Sequence, residues 1–138
     1  MDHILMYYLR VSQHLSQQFR SHFGKLNLTF PQALVLSVLG SEGPMPISQL
    51  AERTGSANST VSGIVDRLEK LELAKRTRSA ADRRVIYVEA TPGYKDLRDR
   101  AETGVNEYFD GLLDTLEAGE RESIGHALEL LDKALTNS

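Results

Sequence analysis

The sequence predicts a mainly α-helical fold that carries one small β-hairpin. Apolar residues recur at helical spacing over most of the chain, and two short stretches alternate in the manner of strands. These stretches directly follow two helical segments that a tight turn joins, which is the order of a winged helix-turn-helix. At 138 residues, 41% of them hydrophobic, the chain is predicted to form a single domain, residues 1–138, with a modest core.

Two helices are predicted before the turn. The first spans residues 2–24 and has an apolar stripe made of Leu5, Tyr8, Leu9, Leu15, Phe19 and Phe23. The second opens at Thr29-Phe30-Pro31-Gln32, which has the pattern of a capping box, and ends near Gly40. Because residues 33–39 are apolar nearly all round, this helix is predicted to lie in the middle of the fold.

The helix-turn-helix occupies residues 48–71. Its first helix, residues 48–53, points Leu50 and Ala51 inward, and Gly55 in the turn can adopt the positive φ that ends a helix. Ser56 is predicted to cap the second helix, residues 57–71. The outward face of that helix is small and polar, as is typical of a helix lying in the major groove of DNA. The candidate DNA-contacting residues on it are Ala57, Asn58, Ser59, Thr60, Ser62, Gly63 and Arg67.

The hairpin and two further helices complete the chain. Residues 45–47 form a possible short strand, residues 75–78 and 85–89 are predicted as the two long strands, and residues 79–84 form their loop. Thr91-Pro92 then opens a long helix, and a last helix covers about residues 118–135. The apolar positions of the long helix are Leu97, Ala101, Val105, Tyr108, Phe109, Leu112, Leu113 and Leu116.

The terminal helices offer more apolar surface than one small core can cover. A patch of that size would be unusual on the surface of a monomer. We therefore expect a homodimer in which residues 1–26 and 92–136 form a helical dimerisation base. Residues 30–91 then form a separate winged lobe on each chain.

Charge is distributed unevenly along the chain. The formal net charge is −3, yet residues 53–84 hold eight Lys or Arg against four acidic residues, a net charge of +4. Residues 85–138 carry −7, and residues 1–52 are balanced. The positive segment coincides with the helix-turn-helix and hairpin, so it can attract phosphates while the acidic remainder disfavours indiscriminate binding.

The composition argues against several other classes of protein. Without cysteine, disulfides, thiolate catalysis and thiol-based peroxide sensing are excluded. No apolar stretch is long enough to cross a bilayer and no signal peptide opens the chain, so we expect a soluble cytoplasmic protein. His14 and His22 are eight residues apart, roughly 12 Å along a helix, too far to share one zinc ion, although either could join a ligand from another helix. We expect no enzyme, no metal and no cofactor.

The chain resembles the MarR family of bacterial winged-helix transcriptional regulators over roughly residues 5–135. The matching motifs are Leu28-Thr29-Phe30-Pro31-Gln32, residues 47–53, residues 59–62 continuing to 65–69, and Asp82-Arg83-Arg84 leading to Thr91. The resemblance implies a dimer that binds double-stranded DNA at a pseudo-palindromic operator, as a repressor or less often an activator. An alternative is a winged-helix module that binds only protein.

The resemblance also implies roles for residues of the hairpin. Asp82 and Arg84 match the Asp-x-Arg pattern of the family, in which the acid holds an arginine at the minor groove. Arg76, Arg78 and Arg83 are further candidates for DNA contact. An ordinary surface hairpin with a weak salt bridge is the structural alternative.

Three positions bear on how far the family pattern extends. Gly63 replaces a larger, often basic residue, so one contact is missing or is replaced by close approach of the backbone. Ala90 replaces a leucine, which is expected to loosen the junction between the hairpin and the following helix. Asp66 lies near the outward face and is expected to pair with Lys70, one helical turn later.

Family resemblance further implies a small, often aromatic anion as effector, bound between the dimerisation helices and the winged lobe. The candidate lining residues on the first helix are Tyr8, His14, Phe19, His22 and Phe23. All five are equally well explained as core or interface residues.

Overall fold

A computed structural model of the chain describes residues 2–100 and 104–137. The elements follow the order α1 (His3–Gly24), α2 (Phe30–Glu42), β1 (Met45–Pro46), α3 (Ile47–Thr54), α4 (Asn58–Lys70), β2 (Ala74–Arg78), β3 (Ile86–Ala90), α5 (Pro92–Arg100), α6 (Val105–Leu112) and α7 (Ala118–Thr136). This mainly helical chain with a small antiparallel sheet confirms the predicted fold class. The residues divide into two compact units, one ending at Val105 and the other beginning at Asn106.

Helix α2 forms the centre of the first unit. The predicted capping box is present, because the Thr29 hydroxyl accepts the Gln32 amide at 3.2 Å while the Gln32 side chain accepts the Thr29 amide at 3.0 Å. The helix continues two residues beyond Gly40 and ends at Glu42. Its predicted central position is confirmed by the side chains that it buries, which are Ala33, Val35, Leu36 and Leu39.

The sheet has the strand order β1-β3-β2, with antiparallel pairing throughout. Strand β2 places Arg76 opposite Val88 and Arg78 opposite Ile86. Val85, predicted to open the second long strand, belongs to the loop instead. Its amide donates to the Asp82 carbonyl and its carbonyl accepts the Ser79 amide, so these groups close the loop before the ladder begins.

The helix-turn-helix is formed by α3 and α4. Leu50 and Ala51 are buried, and Gly55 has a φ of 67°, so both predictions for this region are confirmed. The prediction that Ser56 caps the second helix is wrong. The helix begins one residue later, with Ala57 at the N-cap, and the Ser56 amide instead donates to the Ala51 carbonyl to close the turn. Val61, Val65 and Leu68 attach α4 to the core.

The single long helix predicted after the hairpin is interrupted. Helix α5 ends at Arg100, Gly104 is not helical, and α6 begins at Val105 and ends at Leu112. Glycine has one of the lowest helix propensities, which favours a break at this point. Ala101, assigned to the predicted stripe, lies outside the described residues.

Helices α1 and α7 expose many large apolar side chains. Phe23 is the buried residue of α1, whereas α7 buries none of its described side chains. The exposed apolar residues are Ile4, Leu5, Met6, Tyr7, Tyr8, Leu9 and Val11 on α1, and Ile124, Leu128, Leu130, Leu131 and Leu135 on α7. Within the described ranges, no helix combines the length and apolar character that a membrane span requires.

Candidate nucleic-acid interface

The loop between β2 and β3 is ordered by its own polar side chains. The Ser79 hydroxyl accepts the amides of Ala81 and Asp82, each at 3.2 Å. The Asp82 carboxylate then accepts the backbone amide and the Nε–H of Arg84 on one oxygen, both at 3.1 Å, and an Nη–H of Arg84 on the other at 3.3 Å. The loop thus presents Arg84 with its guanidinium held at two points, and its backbone amide at a third, all by the Asp82 carboxylate.

The Asp82–Arg84 pair is restrained yet open to solvent. The side chain of Arg84 is 91% exposed. Hydrogen bonds from the Arg84 side chain and, secondarily, from its backbone amide hold the pKa of Asp82 below its usual range. A guanidinium that is ordered before binding loses less entropy on docking to a phosphate or a narrow minor groove. The side-chain pairing that the resemblance implied for these two residues is present.

Arg78 ends β2, and Arg83 lies within the loop that follows. A guanidinium N–H of Arg78 donates to the carbonyl of Arg83, which ties the end of β2 to the loop. Both residues are exposed.

Arg76 behaves differently from the other hairpin arginines, because it turns back onto α4. Its guanidinium contacts the carboxylates of Asp66, at 2.9 Å, and Glu69, and it approaches the hydroxyl of Ser62 at 3.3 Å. The prediction that Asp66 pairs with Lys70 is wrong, because the Asp66 carboxylate pairs with the guanidinium of Arg76 on β2.

The outward face of α4 carries the small polar residues that the sequence predicted. Gly63 has no heavy atom of a neighbouring element within 4 Å of the position that a Cβ would occupy, so its backbone is open on this face. Ser62 is half-buried and contacts Arg76. The remaining predicted residues are exposed, namely Ala57, Asn58, Ser59, Thr60 and Arg67.

The N-terminus of α4 is left open. Ala57 at the N-cap offers no side-chain acceptor, and no side chain within the described ranges caps this end. The backbone N–H groups of the first turn, residues 58–60, therefore have no hydrogen-bond acceptor within the described ranges. They lie at the positive end of the helix dipole. Such an end favours an anion.

The junction between the hairpin and α5 is firmly tied, although Ala90 was expected to loosen it. The Thr91 hydroxyl donates to the Glu72 carbonyl at 2.6 Å, and the Thr91 amide donates to the Leu73 carbonyl at 3.1 Å. Gly93 lies so close that an added Cβ would be 2.9 Å from the Glu72 oxygen. The turn that ends α4 is thereby attached to the start of α5.

Glu69 is a site residue that the sequence reasoning missed. It lies on the same stripe of α4 as Ser62 and Asp66, at intervals of three and four residues, and it contacts a basic strand seven residues later. Helical spacing is the signal that groups Glu69 with Ser62 and Asp66, although it does not show that β2 covers this stripe.

The five candidate effector residues separate into two groups. Phe19 stacks on Phe30 of α2 with ring centroids 4.2 Å apart, His22 lies edge-on to Phe23 at 4.8 Å, and Phe23 is fully buried. Tyr8 and His14 are exposed, further toward the start of α1. The structure therefore brings three of the five together, in a cluster that packs α1 on α2.

Comparison with known proteins finds a matching family model, similar sequences and similar solved structures. A model of the MarR family matches residues 26–85. YfiV, an uncharacterised HTH-type transcriptional regulator of Bacillus subtilis, is 34% identical over 119 residues, which cover 86% of this chain and 74% of YfiV. A probable transcriptional regulator from Pseudomonas aeruginosa has a crystal structure that superposes with a TM-score of 0.77 at 28% identity, covering 94% of this chain and 97% of that one.

A further solved structure was determined with DNA. MepR of Staphylococcus aureus, crystallised as a DNA complex, matches with a TM-score of 0.82 at 20% identity, covering 98% of this chain and 99% of that chain. At this level of identity the match shows a shared fold.

Proposed function

The chain belongs to the MarR family of transcriptional regulators, and from this premise we propose that it is a cytoplasmic repressor that binds a pseudo-palindromic operator as a homodimer. The observation that carries the proposal is the Asp82–Arg84 pair, which presents an ordered and exposed guanidinium on the same lobe as the open polar face of α4. A cation at the hairpin tip and a small polar helix face suit the minor and major grooves respectively.

In this proposal α4 is the recognition helix and lies in the major groove. Asn58, Ser59 and Thr60 approach base edges, while the uncapped amides of the first turn receive a backbone phosphate. The open backbone at Gly63 permits a close approach to the DNA. Arg84 and Arg83 of the wing, residues 79–85, engage the flanking minor groove and its phosphates.

The exposed apolar residues of α1 and α7 support the dimer. Faces of this kind on two terminal helices are typical of a surface that a second copy of the chain covers. Dimerisation places two recognition helices on one side of the duplex. Their half-sites are then expected about 34–36 Å apart, or about 10 bp from centre to centre.

An effector is part of the proposal. A small aromatic or anionic molecule, bound near the aromatic cluster of Phe19, His22 and Phe23, would change the spacing of the two lobes and so release DNA. A ligand screen that monitors the melting temperature tests this part separately. A compound that raises the melting temperature should also weaken operator binding by the same protein.

The function is tested by selection from a pool of DNA duplexes with a randomised centre, followed by sequencing of the bound fraction. The expected result is an inverted repeat with half-sites about 10 bp apart. Repression is then tested by placing the selected operator across a promoter that drives a reporter. If selection enriches no motif, the proposed regulator is wrong and a winged helix that binds only protein becomes the better account. If selection enriches a single unrepeated half-site, sequence-specific DNA binding stands but the proposed homodimer is wrong.

A further inference from the structure

We infer that Arg76 is a positioning residue, one that holds the recognition helix at a set orientation on the hairpin and thereby determines sequence discrimination without touching DNA. The inference rests on the proposed function, because it concerns how α4 meets the bases. It also reassigns Arg76, which the sequence placed among the residues that contact DNA.

The geometry of Arg76 favours an internal role. Its guanidinium reaches acceptors from three positions on α4, at residues 62, 66 and 69, which lie on one stripe of the helix. In β2 it stands opposite Val88, a fully buried core residue of the central strand. The Arg76 side chain thus joins one stripe of α4 to the position of β2 that pairs with the buried centre of the sheet.

Glu69 makes the attachment stronger than an ordinary surface ion pair. One of its oxygens accepts the backbone amide of Arg76 at 3.2 Å, while the other meets the guanidinium of the same residue. Strand β2 lies at the edge of the sheet, so this amide has no strand partner on that side. A carboxylate that binds both the backbone and the side chain fixes the helix relative to the strand itself.

Exposure separates Arg76 from the arginine at the wing tip. The Arg76 side chain is 25% exposed, compared with 91% for Arg84. Its guanidinium also compensates the two carboxylates of Asp66 and Glu69, which would otherwise place negative charge on the helix that approaches phosphates. Loss of Arg76 therefore frees the helix to tilt and leaves those charges facing the duplex.

The test compares two dissociation constants for each variant, one for the selected operator and one for a scrambled duplex of equal length and composition. Their ratio measures sequence discrimination, and contributions from charge alone largely cancel in it. Arg76→Gln is expected to lower this ratio about tenfold, the size of one lost base-pair preference. Lys75→Gln is the matched control, since it removes the same charge from the adjacent residue, whose ion pair is with Glu89 of β3 at 3.3 Å.

Two further variants distinguish positioning from charge and from folding. Arg76→Lys keeps the charge but lacks the planar fork that spans several acceptors, so it should not restore the ratio. Asp66→Asn changes a side chain that is 61% exposed and should not impair folding. It is expected to lower the ratio by a smaller factor, and the double variant Arg76→Gln with Asp66→Asn should be no worse than Arg76→Gln alone.

The outcomes are separable. If the wild-type protein binds both duplexes equally, the proposed function fails and this inference fails with it. If the wild type discriminates and Arg76→Gln retains its ratio while losing affinity for both duplexes alike, Arg76 is a phosphate contact and the inference alone is overturned. A ratio of dissociation constants that Arg76→Lys restores to the wild-type value, or that Asp66→Asn leaves unchanged, also contradicts the inference.

Discussion

Replacement of Arg84 by alanine removes a highly exposed cation of the wing with little effect on the fold. The side chain is 91% exposed, and both of its hydrogen bonds go to Asp82. The backbone amide that donates to Asp82 survives the substitution, so the loop retains its internal turn. The expected loss is therefore in DNA binding, with the free energy of unfolding almost unchanged.

The size of the effect follows from the number of phosphate contacts. Each lost contact reduces the magnitude of the negative slope of log K against log salt by about 0.9, and a dimer loses one contact at each of two wings, so the magnitude falls by about 1.8. Between 50 and 200 mM salt this amounts to about a twelvefold change in the ratio of wild-type to variant affinity. The variant should look most defective in dilute buffer and nearly normal in concentrated salt.

Fluorescence anisotropy with the labelled operator measures this slope across a salt series. Arg121→Ala is a suitable control, because Arg121 also pairs with an aspartate, Asp110 at 2.9 Å, but lies outside the winged lobe. The control should leave the slope unchanged. Equal slopes for wild type and Arg84→Ala would refute the assignment of Arg84 to a phosphate contact.

Three other expectations follow from the same structure. Gly93→Ala places a Cβ 2.9 Å from the Glu72 oxygen and should lower the free energy of unfolding in urea by about 1–3 kcal/mol, so an unchanged midpoint would disprove the tight junction. In Gly63→Ala the added Cβ meets no neighbour within 4 Å, so the free energy of unfolding should rise by about 0.5–1 kcal/mol while operator binding weakens. Undiminished affinity would rule out a close approach of DNA to the backbone at residue 63. Because the pKa of Asp82 is lowered in the folded chain, its contribution is present above the unfolded pKa and is lost as the pH falls through the folded pKa. An NMR titration of the Asp82 carboxyl should therefore show an unusually acidic midpoint that rises in Arg84→Ala, where the backbone amide of residue 84 remains as a donor, and an ordinary midpoint in the wild type would contradict the pairing.

Local features of this fold could be read from the sequence. The capping box at Thr29, the positive φ of Gly55 and the Asp82–Arg84 pair each involve residues no more than three positions apart, so spacing and residue type define them. The winged helix-turn-helix itself follows from the order of such local signals.

The features that sequence reasoning did not find depend on distant packing. The attachment of Arg76 to Ser62, Asp66 and Glu69 requires knowing how β2 lies on α4, which no local rule supplies. Lys70 lies at helical spacing from Asp66, but Asp66 pairs with the guanidinium of Arg76 on β2 instead. The junction between Glu72 and Gly93 is likewise a contact between elements, and only the structure reveals it.

The central claim is that two chains, joined through their terminal helices, bind one DNA duplex. Sedimentation equilibrium of the protein alone, and then with the selected operator, tests it most directly. The account predicts a mass of two chains in the free protein and of two chains with one duplex in the complex. A protein that sediments as a single chain under both conditions, or a duplex that sediments without protein in dilute buffer, would contradict it.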